Sequence, residues 1–386
     1  MLTLPDLGSL TSEHDVVLGK PLGSSFIVIG PPGTGKTIMA IYRARMLARS
    51  GRKTLLLMFG RVLSEYTKAA IAAENLSGVV STYHSWFPQF WKRCYGGQPP
   101  KVSQWIFDWN ACLQKIITDP PPISERCHIV VDEGQDMPKD FYMLLWSISE
   151  SLTIFADENQ RITSEQSTIA EIKAATGIEN VVSLSANYRN TREIAKFAAT
   201  FYTGLQSGIP ALPSSHGEQP FLLTFSKLHQ TISYISHYEN ENLGLTIGIL
   251  LQRVDDAASF YNRLEKKVVN PVEIYLNLKQ GGHSKARQQV EFKNPGIKIL
   301  TYASAKGLEF DTVFLPELQS VTGDPHSDDL RMRFYVMAAR AKRTLGLLYT
   351  GDSEPKFVAA LPMNLIDDKR LTSGSRARED PVLGTR

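Results

Sequence analysis

The run Phe26-Ile27-Val28-Ile29 leads directly into Gly30-Pro-Pro-Gly33-Thr34-Gly35-Lys36-Thr37, and the helix-like stretch TIMAIYRARMLARS begins at that threonine. An apolar strand, a G-x-x-x-x-G-K-T loop and a helix in this order constrain the fold more than any other feature of the chain. The glycines let backbone N–H groups turn inward on phosphate, and the following helix adds its positive N-terminal end. Lys36 is expected to reach the β- and γ-phosphates of a nucleotide, and Thr37 to hold magnesium. An ordinary Gly-Pro turn would need neither the strand before it nor the helix after it.

Short apolar runs alternate with helix-like segments elsewhere. In the first half they are Ser25 to Ile29, Thr54 to Phe59, Val79 to Ser81, His128 to Val131 and Leu152 to Phe155. In the second half they are Pro220 to Thr224, Leu245 to Leu251, Ile297 to Thr301, Thr312 to Leu315 and Thr344 to Tyr349. Continuous apolar strands separated by helices predict an α/β fold with parallel sheets buried on both faces. At roughly 150 residues per domain, 386 residues suggest two or three domains. The Gly-, Ser- and Pro-rich stretch Tyr202 to Gln219 marks the boundary, giving domains at 1–205 and 206–366. The polar, aperiodic stretch 367–386 is expected to be disordered.

Composition narrows the partners only weakly. Lys plus Arg is 42 and Asp plus Glu is 39, so a nucleic-acid surface would have to be local. The three cysteines form no CxxC pair, which argues against zinc and fits free thiols in a reducing compartment. The N-terminus has no basic segment followed by an apolar run, and no apolar stretch approaches the length of a membrane span. The expectation is a cytoplasmic protein without a membrane partner.

A second motif completes the first. Ile129-Val130-Val131 runs into Asp132-Glu133-Gly134-Gln135-Asp136. Asp132 at the strand tip can hold Mg²⁺ opposite Thr37, and Glu133 is placed to orient or deprotonate an attacking water.

The Asp132-Glu133-Gly134-Gln135 box resembles that of the UvrD/Rep/PcrA-like branch of superfamily 1 helicases, and further motifs of that branch follow in order. Leu10-Thr11-Ser12-Glu13-His14 resembles the adenine-reading motif, with His14 where the family has glutamine. LLLMFGRVLSEY resembles the segment that contacts single-stranded DNA, with Phe59 and Arg61 on the strand, though Phe59 also reads as the last core residue of its strand. Ser81-Thr82-Tyr83-His84-Ser85-Trp86 resembles a further DNA-backbone element, implying contacts from Thr82, His84 and Trp86. Leu152 to Gln160 resembles the G-D-x-x-Q box, with Ala156 for glycine, and implies that Gln160 senses the γ-phosphate. The aromatic residues that usually follow are replaced by Arg161-Ile162-Thr163-Ser164. Asn187-Tyr188-Arg189 resembles the N-Y-R box, implying that Tyr188 stacks on adenine and Arg189 forks onto the γ-phosphate.

Thr301 to Asp311 resembles T-x-H-x-x-K-G-L-E-F-D, with Ala303 for histidine. The resemblance implies that Gly307 lets backbone approach phosphate and that Glu309 approaches the ribose. Tyr335 to Lys342 resembles Y-V-A-x-T-R-A, with Ala339 for threonine, and implies that Arg340 is a second arginine finger. Together with Gly33, Thr34, Gly35 and Gln135, these residues would form one ATP site between two RecA-like P-loop domains.

The spaces that hold large insertions in this branch are short here, at 87–126 and 252–296. The first contains Phe90-Trp91-Lys92-Arg93 and Trp105-Ile106-Phe107 and reads equally as a DNA-facing arm or a packed helical pair. The resemblance implies an ATP-driven translocase on single-stranded DNA, with 3′→5′ unwinding and a place in DNA repair or anti-phage defence. Two alternatives stay open: a nucleic-acid-sensing regulatory ATPase that controls a partner nuclease or effector, and a nucleotide-binding scaffold. RNA in place of DNA is also left open.

Overall fold

The computed structural model describes residues 4, 10–71, 77–103, 106–157, 167–203, 208–275, 292 and 294–370. The first part runs α1 (Ser12–Leu18), β1 (Phe26–Ile29), α2 (Lys36–Arg49), β2 (Thr54–Met58), α3 (Arg61–Ile71), β3 (Val80–Thr82), α4 (Tyr83–Tyr95), β4 (Lys101–Ser103), β5 (Ile106–Phe107), α5 (Trp109–Thr118), β6 (Cys127–Val131), α6 (Lys139–Ile148), β7 (Ser149–Ala156), α7 (Ile169–Thr176) and β8 (Val181–Ser183). The second part continues with α8 (Arg192–Ala199), β9 (Phe221–Phe225), α9 (Leu228–Glu241), β10 (Thr246–Leu251), α10 (Val254–Leu264), β11 (Glu273–Tyr275), β12 (Gly296–Thr301), β13 (Phe310–Leu315), α11 (Asp328–Ala338), β14 (Ala341–Thr350), α12 (Lys356–Ala359) and β15 (Asp367–Asp368).

The first sheet is parallel throughout, in the order β3-β2-β6-β7-β1-β8. Successive strand residues point to opposite faces, and both faces are covered. Val28, Leu56 and Val130 pack toward α2 and α3 in one cluster. Ile27, Leu57 and Ile129 pack toward α4, α5 and α6 in another. Each such buried aliphatic side chain contributes roughly 1.5–3 kcal/mol. This is why the strands read as continuous apolar runs. The order sets β6, β7 and β1 side by side, so Asp132, Asp157 and the Gly30 loop emerge together at the carboxyl edge, where open α/β sheets bind ligands.

The second sheet is also parallel, in the order β11-β12-β10-β13-β14-β9-β15. Ile247, Ile249 and Ile299 face α9 and α10, while Leu250, Leu300 and Leu347 face α8, α11 and α12. The two parts are joined by apolar contact, since Leu63 and Tyr66 of α3 share one cluster with Ala305 and Leu308. Two RecA-like parallel α/β units therefore replace the linear sequence pattern, as expected.

Three boundaries differ from the sequence expectation. Although it precedes residue 205, α8 packs on the second unit: Phe201 beside it meets Phe334 and Phe357, and Thr191 N–H donates to Lys342 O at 3.2 Å. The chain thus crosses near Asn190, not within 202–219. Residues 367–370 are ordered rather than part of a disordered tail. Asp367 and Lys369 N–H groups donate to Pro220 and Leu222 carbonyls at 2.8 and 3.0 Å, adding a short edge strand. Residues 371–386 lie outside the described residues. Finally, 252–296, expected as a small insertion, is in its described portion part of the second unit itself, because α10 and β11 belong to the second sheet's own core.

The 87–126 segment is a packed helical pair with a small antiparallel hairpin, β4 on β5. Phe87 and Phe90 are 0% and 1% exposed, and Phe87 touches Trp91, Phe107, Trp109 and Phe141. Its described aromatics form a core instead of a DNA-facing surface, and Trp105 lies outside the described residues. Among the described residues, no helix is long and apolar enough to cross a membrane.

Candidate active site

The loop after β1 turns on Gly33, whose φ of 87° lies in the left-handed region. A Cβ there would stand 2.4 Å from Asn187 Oδ1, so only glycine fits. Lys36, at the start of α2, is 7% exposed. Its ammonium donates to Gly30 O at 2.7 Å and Pro31 O at 2.9 Å, and pairs with Asp157 at 3.3 Å. The loop thus holds a buried cation over its own carbonyls, in the concavity its glycines make.

The acidic residues lie beside it. Asp132 is buried at the end of β6 and accepts a hydrogen bond from the Thr37 side chain. Burial first, then the Glu133 charge, pushes its carboxyl up to about 7. Its Oδ2 is buried without a hydrogen-bond partner. A lone carboxylate oxygen next to a hydroxyl suits a hard cation such as Mg²⁺, which Asp132 and Thr37 would hold. Glu133 has a φ of 52°, a left-handed conformation that costs a non-glycine residue about 1–3 kcal/mol. Burial opposes its charge, but Lys306, Lys36, Arg340 and a Gln135 hydrogen bond outweigh burial and hold the carboxyl below its usual range. Gln135 donates to Glu133 at 2.5 Å and accepts from Asp157 N–H at 2.8 Å, tying two strand tips together.

The second unit supplies the opposite wall, from the amino ends of β13 and β14 and the turn before them. Gly307 has a φ of 78°, and a Cβ on it would lie 2.8 Å from Leu63 Cδ2 and 3.2 Å from Glu133 Oε1. Lys306 donates to Asp136 at 2.5 Å across the seam. Arg340 is 1% exposed, not a solvated helix residue. It sits between α11 and β14, donating to Val336 O at 2.9 Å and Leu308 O at 3.2 Å. Burial and the neighbouring Arg189 push it down to about 10. Arg189 pairs with Glu309 at 2.9 Å, and Glu309 also pairs with Lys342 at 2.7 Å. Burial opposes the Glu309 charge, but the two cations hold its carboxyl low. Glu309 therefore anchors an arginine, a role the sequence pattern did not suggest.

His14 and Tyr188 flank the loop. His14 Nε2 lies 3.0 Å from Thr34 O and must donate, since a carbonyl only accepts. Its Nδ1 receives Thr11 N–H at 3.4 Å. Tyr188 is 49% exposed, with its ring 5.1 Å from the His14 ring and its N–H bonded to Gly33 O at 2.9 Å. An exposed tyrosine face beside the loop can stack on a flat ring. Gln160 lies outside the described residues.

The expected nucleic-acid residues divide. Phe59 projects just beyond β2 at 40% exposure, so it is not a core residue. It stacks on Tyr83 at 5.8 Å and meets the exposed His84 at 6.4 Å. Arg61 is exposed at the start of α3. Thr82 caps α4, accepting Ser85 N–H at 3.3 Å. Trp86, half-buried, stacks on Phe90 at 5.1 Å and packs against the aromatic core. Missed in the sequence were Asp157, Asp136 and Lys342. Asp157 stood in plain view in a motif, but only the strand order puts it beside Lys36.

Comparison with known proteins gives matches in both units. An AAA-domain family model matches residues 20–166, and a UvrD-like helicase C-terminal domain model matches residues 276–352. A curated relative, "Putative ATP-dependent DNA helicase R568" of Acanthamoeba polyphaga mimivirus, is 23% identical over 243 residues, covering 58% of this chain. The match spans about a third of that relative's length, 34%. The C-terminal domain of "a possible DNA helicase" from Lactobacillus plantarum WCFS1 aligns over 47% of this chain and 99% of its own, at 20% identity and a TM-score of 0.33.

Proposed function

With an AAA domain followed by a UvrD-like helicase C-terminal domain, the chain belongs to the UvrD-like superfamily 1 helicases, and from that premise we propose that it is an ATP-driven translocase on single-stranded DNA. The observation that carries this reading is the meeting of two units at one carboxylate. Glu133 of the first sheet has Gly307 of the second against it, with its charge stabilised by Lys306 and Arg340 from that second unit. A nucleotide seated there touches both units, so hydrolysis changes how they sit together.

The chain's own groups divide the work. Glu133, kept ionised and oriented by Gln135, accepts a proton from the attacking water. Lys36, Arg189 and Arg340 present positive charge from three directions to a developing phosphoryl charge; one such arginine is worth about 10³–10⁵ in rate. When bound, Mg²⁺ held by Asp132 and Thr37 would supply Lewis-acid stabilisation of phosphate oxygens. Phe59, Arg61, Thr82 and His84 offer ring faces, a cation and polar groups to a strand along one edge, the combination that binds single strands without reading sequence. In its family's usual 3′→5′ sense, the motor would serve DNA repair or anti-phage defence.

A regulatory ATPase switched by nucleic acid is favoured by one observation: the 87–126 segment is folded into the core, leaving no separate accessory unit among the described residues. One experiment tests the main reading. Hydrolysis is measured with single-stranded DNA, duplex DNA and RNA for the wild type and Glu133→Gln. Strong stimulation by single-stranded DNA and near-complete loss in the variant are expected. Equal, unstimulated rates in every condition would sink the reading.

A further inference from the structure

The helix α3 begins next to Phe59 and Arg61, on the edge assigned above to a strand, and enters the seam between the units. Its Leu63 lies against Gly307. One turn on, Tyr66 is 5% exposed and meets Phe292 edge to face at 5.1 Å. Tyr66 also lines a small cavity with Thr246, Lys298, Glu309, Phe310 and Lys342, all from the second unit. Glu309 and Lys342 belong to the ion-pair network that holds Arg189.

A phenylalanine would fill this seam as well as a tyrosine does. Burying the extra hydroxyl costs free energy unless something polar faces it. Charged groups share its cavity, since Glu309 and Lys342 line it together with Tyr66; burial raises the Tyr66 phenol well above its usual range, with Glu309 adding to the shift and Arg189 opposing it. The separation along the helix is short. Arg61 and Tyr66 are five residues apart, about 7–8 Å of axial rise, so a displacement at one end of this rod is felt at the other.

Building on the strand-stimulated reading above, we propose that Tyr66 is a positioning residue that couples strand binding at Phe59 and Arg61 to the Glu309-held Arg189 of the nucleotide cleft. It touches neither strand nor nucleotide. Strand binding moves α3, Tyr66 shifts against Glu309, and the guanidinium of Arg189 is set for the phosphoryl group.

Tyr66→Phe, which keeps the ring and removes the hydroxyl, separates coupling from packing. Oligothymidylate affinity, hydrolysis without oligonucleotide and maximal stimulated hydrolysis are measured together with the melting temperature. The proposal expects unchanged melting, oligonucleotide affinity and unstimulated rate. The stimulated kcat falls about three- to tenfold, in the range found for coupling residues that contact neither ligand. A Tyr66→Phe protein stimulated like the wild type overturns this inference alone. So does equal loss of stimulated and unstimulated rates, which marks a structural role. A wild type that no single strand stimulates overturns both this inference and the function it rests on.

Discussion

A Cβ on Gly307 of the second unit would stand 3.2 Å from the Oε1 of Glu133 in the first. No side chain fits between them without pushing on the carboxylate or on Leu63, 2.8 Å away. The positive φ of Gly307 adds strain for any replacement. Gly307→Ala is therefore expected to lower kcat by on the order of 10²-fold, the cost of an ångström-scale misplacement. Nucleotide binding, measured by fluorescent-analogue titration, should change far less. A kcat within twofold of wild type would show that Gly307 is not a close wall of the site.

Asp132 sets function against stability. Its carboxyl is raised by burial and by Glu133 to about 7, so the folded protein keeps the proton to higher pH than the unfolded chain does. A raised carboxylate destabilises the fold progressively as pH climbs from the ordinary carboxylate range to neutrality. Asp132→Asn should therefore melt above wild type at pH 8 without added Mg²⁺ or nucleotide, with the gap closing toward pH 4–5. Each kcal/mol is worth roughly 2–4 °C. The same variant should hydrolyse no ATP. A variant that melts below wild type at pH 8 would contradict the assignment.

Glu309 shows the opposite sign. Arg189 and Lys342 hold its carboxyl below the usual range against burial. Its stabilising contribution is complete above the ordinary carboxylate pKa and is lost as pH falls below it. Glu309→Gln should weaken the protein at pH 7 and flatten its loss of stability on acidification. Urea midpoints at pH 7 and pH 4 measure both effects. An unchanged slope would remove Glu309 from the seam's electrostatics.

Phe59 and Trp86 were both expected to contact nucleic acid, and the structure separates them. Phe59→Ala should weaken binding of oligothymidylate by about 1–3 kcal/mol with little change in melting. Trp86→Ala should do the reverse, lowering the melting temperature through its lost stack on Phe90. Paired anisotropy and melting measurements decide between them.

That division also shows what the sequence could and could not convey. Contiguous chemistry was legible: the Gly30 loop, the Asp132-Glu133 pair and ten apolar strands all appear where their residues predicted. That Trp86 packs against the aromatic core was not legible, because residues i and i+2 of α4 point to different faces, which a motif read linearly does not show. The contacts that make one site of two units were not legible. Arg189 and Glu309 are 120 residues apart, and Lys306 and Asp136 are 170 apart. The crossing near Asn190 was hidden too, because its signature is hydrogen bonds to the Ala339 and Ala341 carbonyls, not composition. Asp367 looked disordered because a two-residue edge strand is too short to show a period.

The central claim, that one hydrolytic site is completed by a buried arginine of the second unit, is tested most directly at Arg340. Arg340→Lys keeps a charge and removes the planar fork. Steady-state kcat with saturating single-stranded DNA, alongside nucleotide affinity, is the measurement. The account predicts loss of kcat by about 10³-fold or more with nucleotide affinity largely retained. Hydrolysis within a few-fold of wild type, in a variant that still folds, would contradict it.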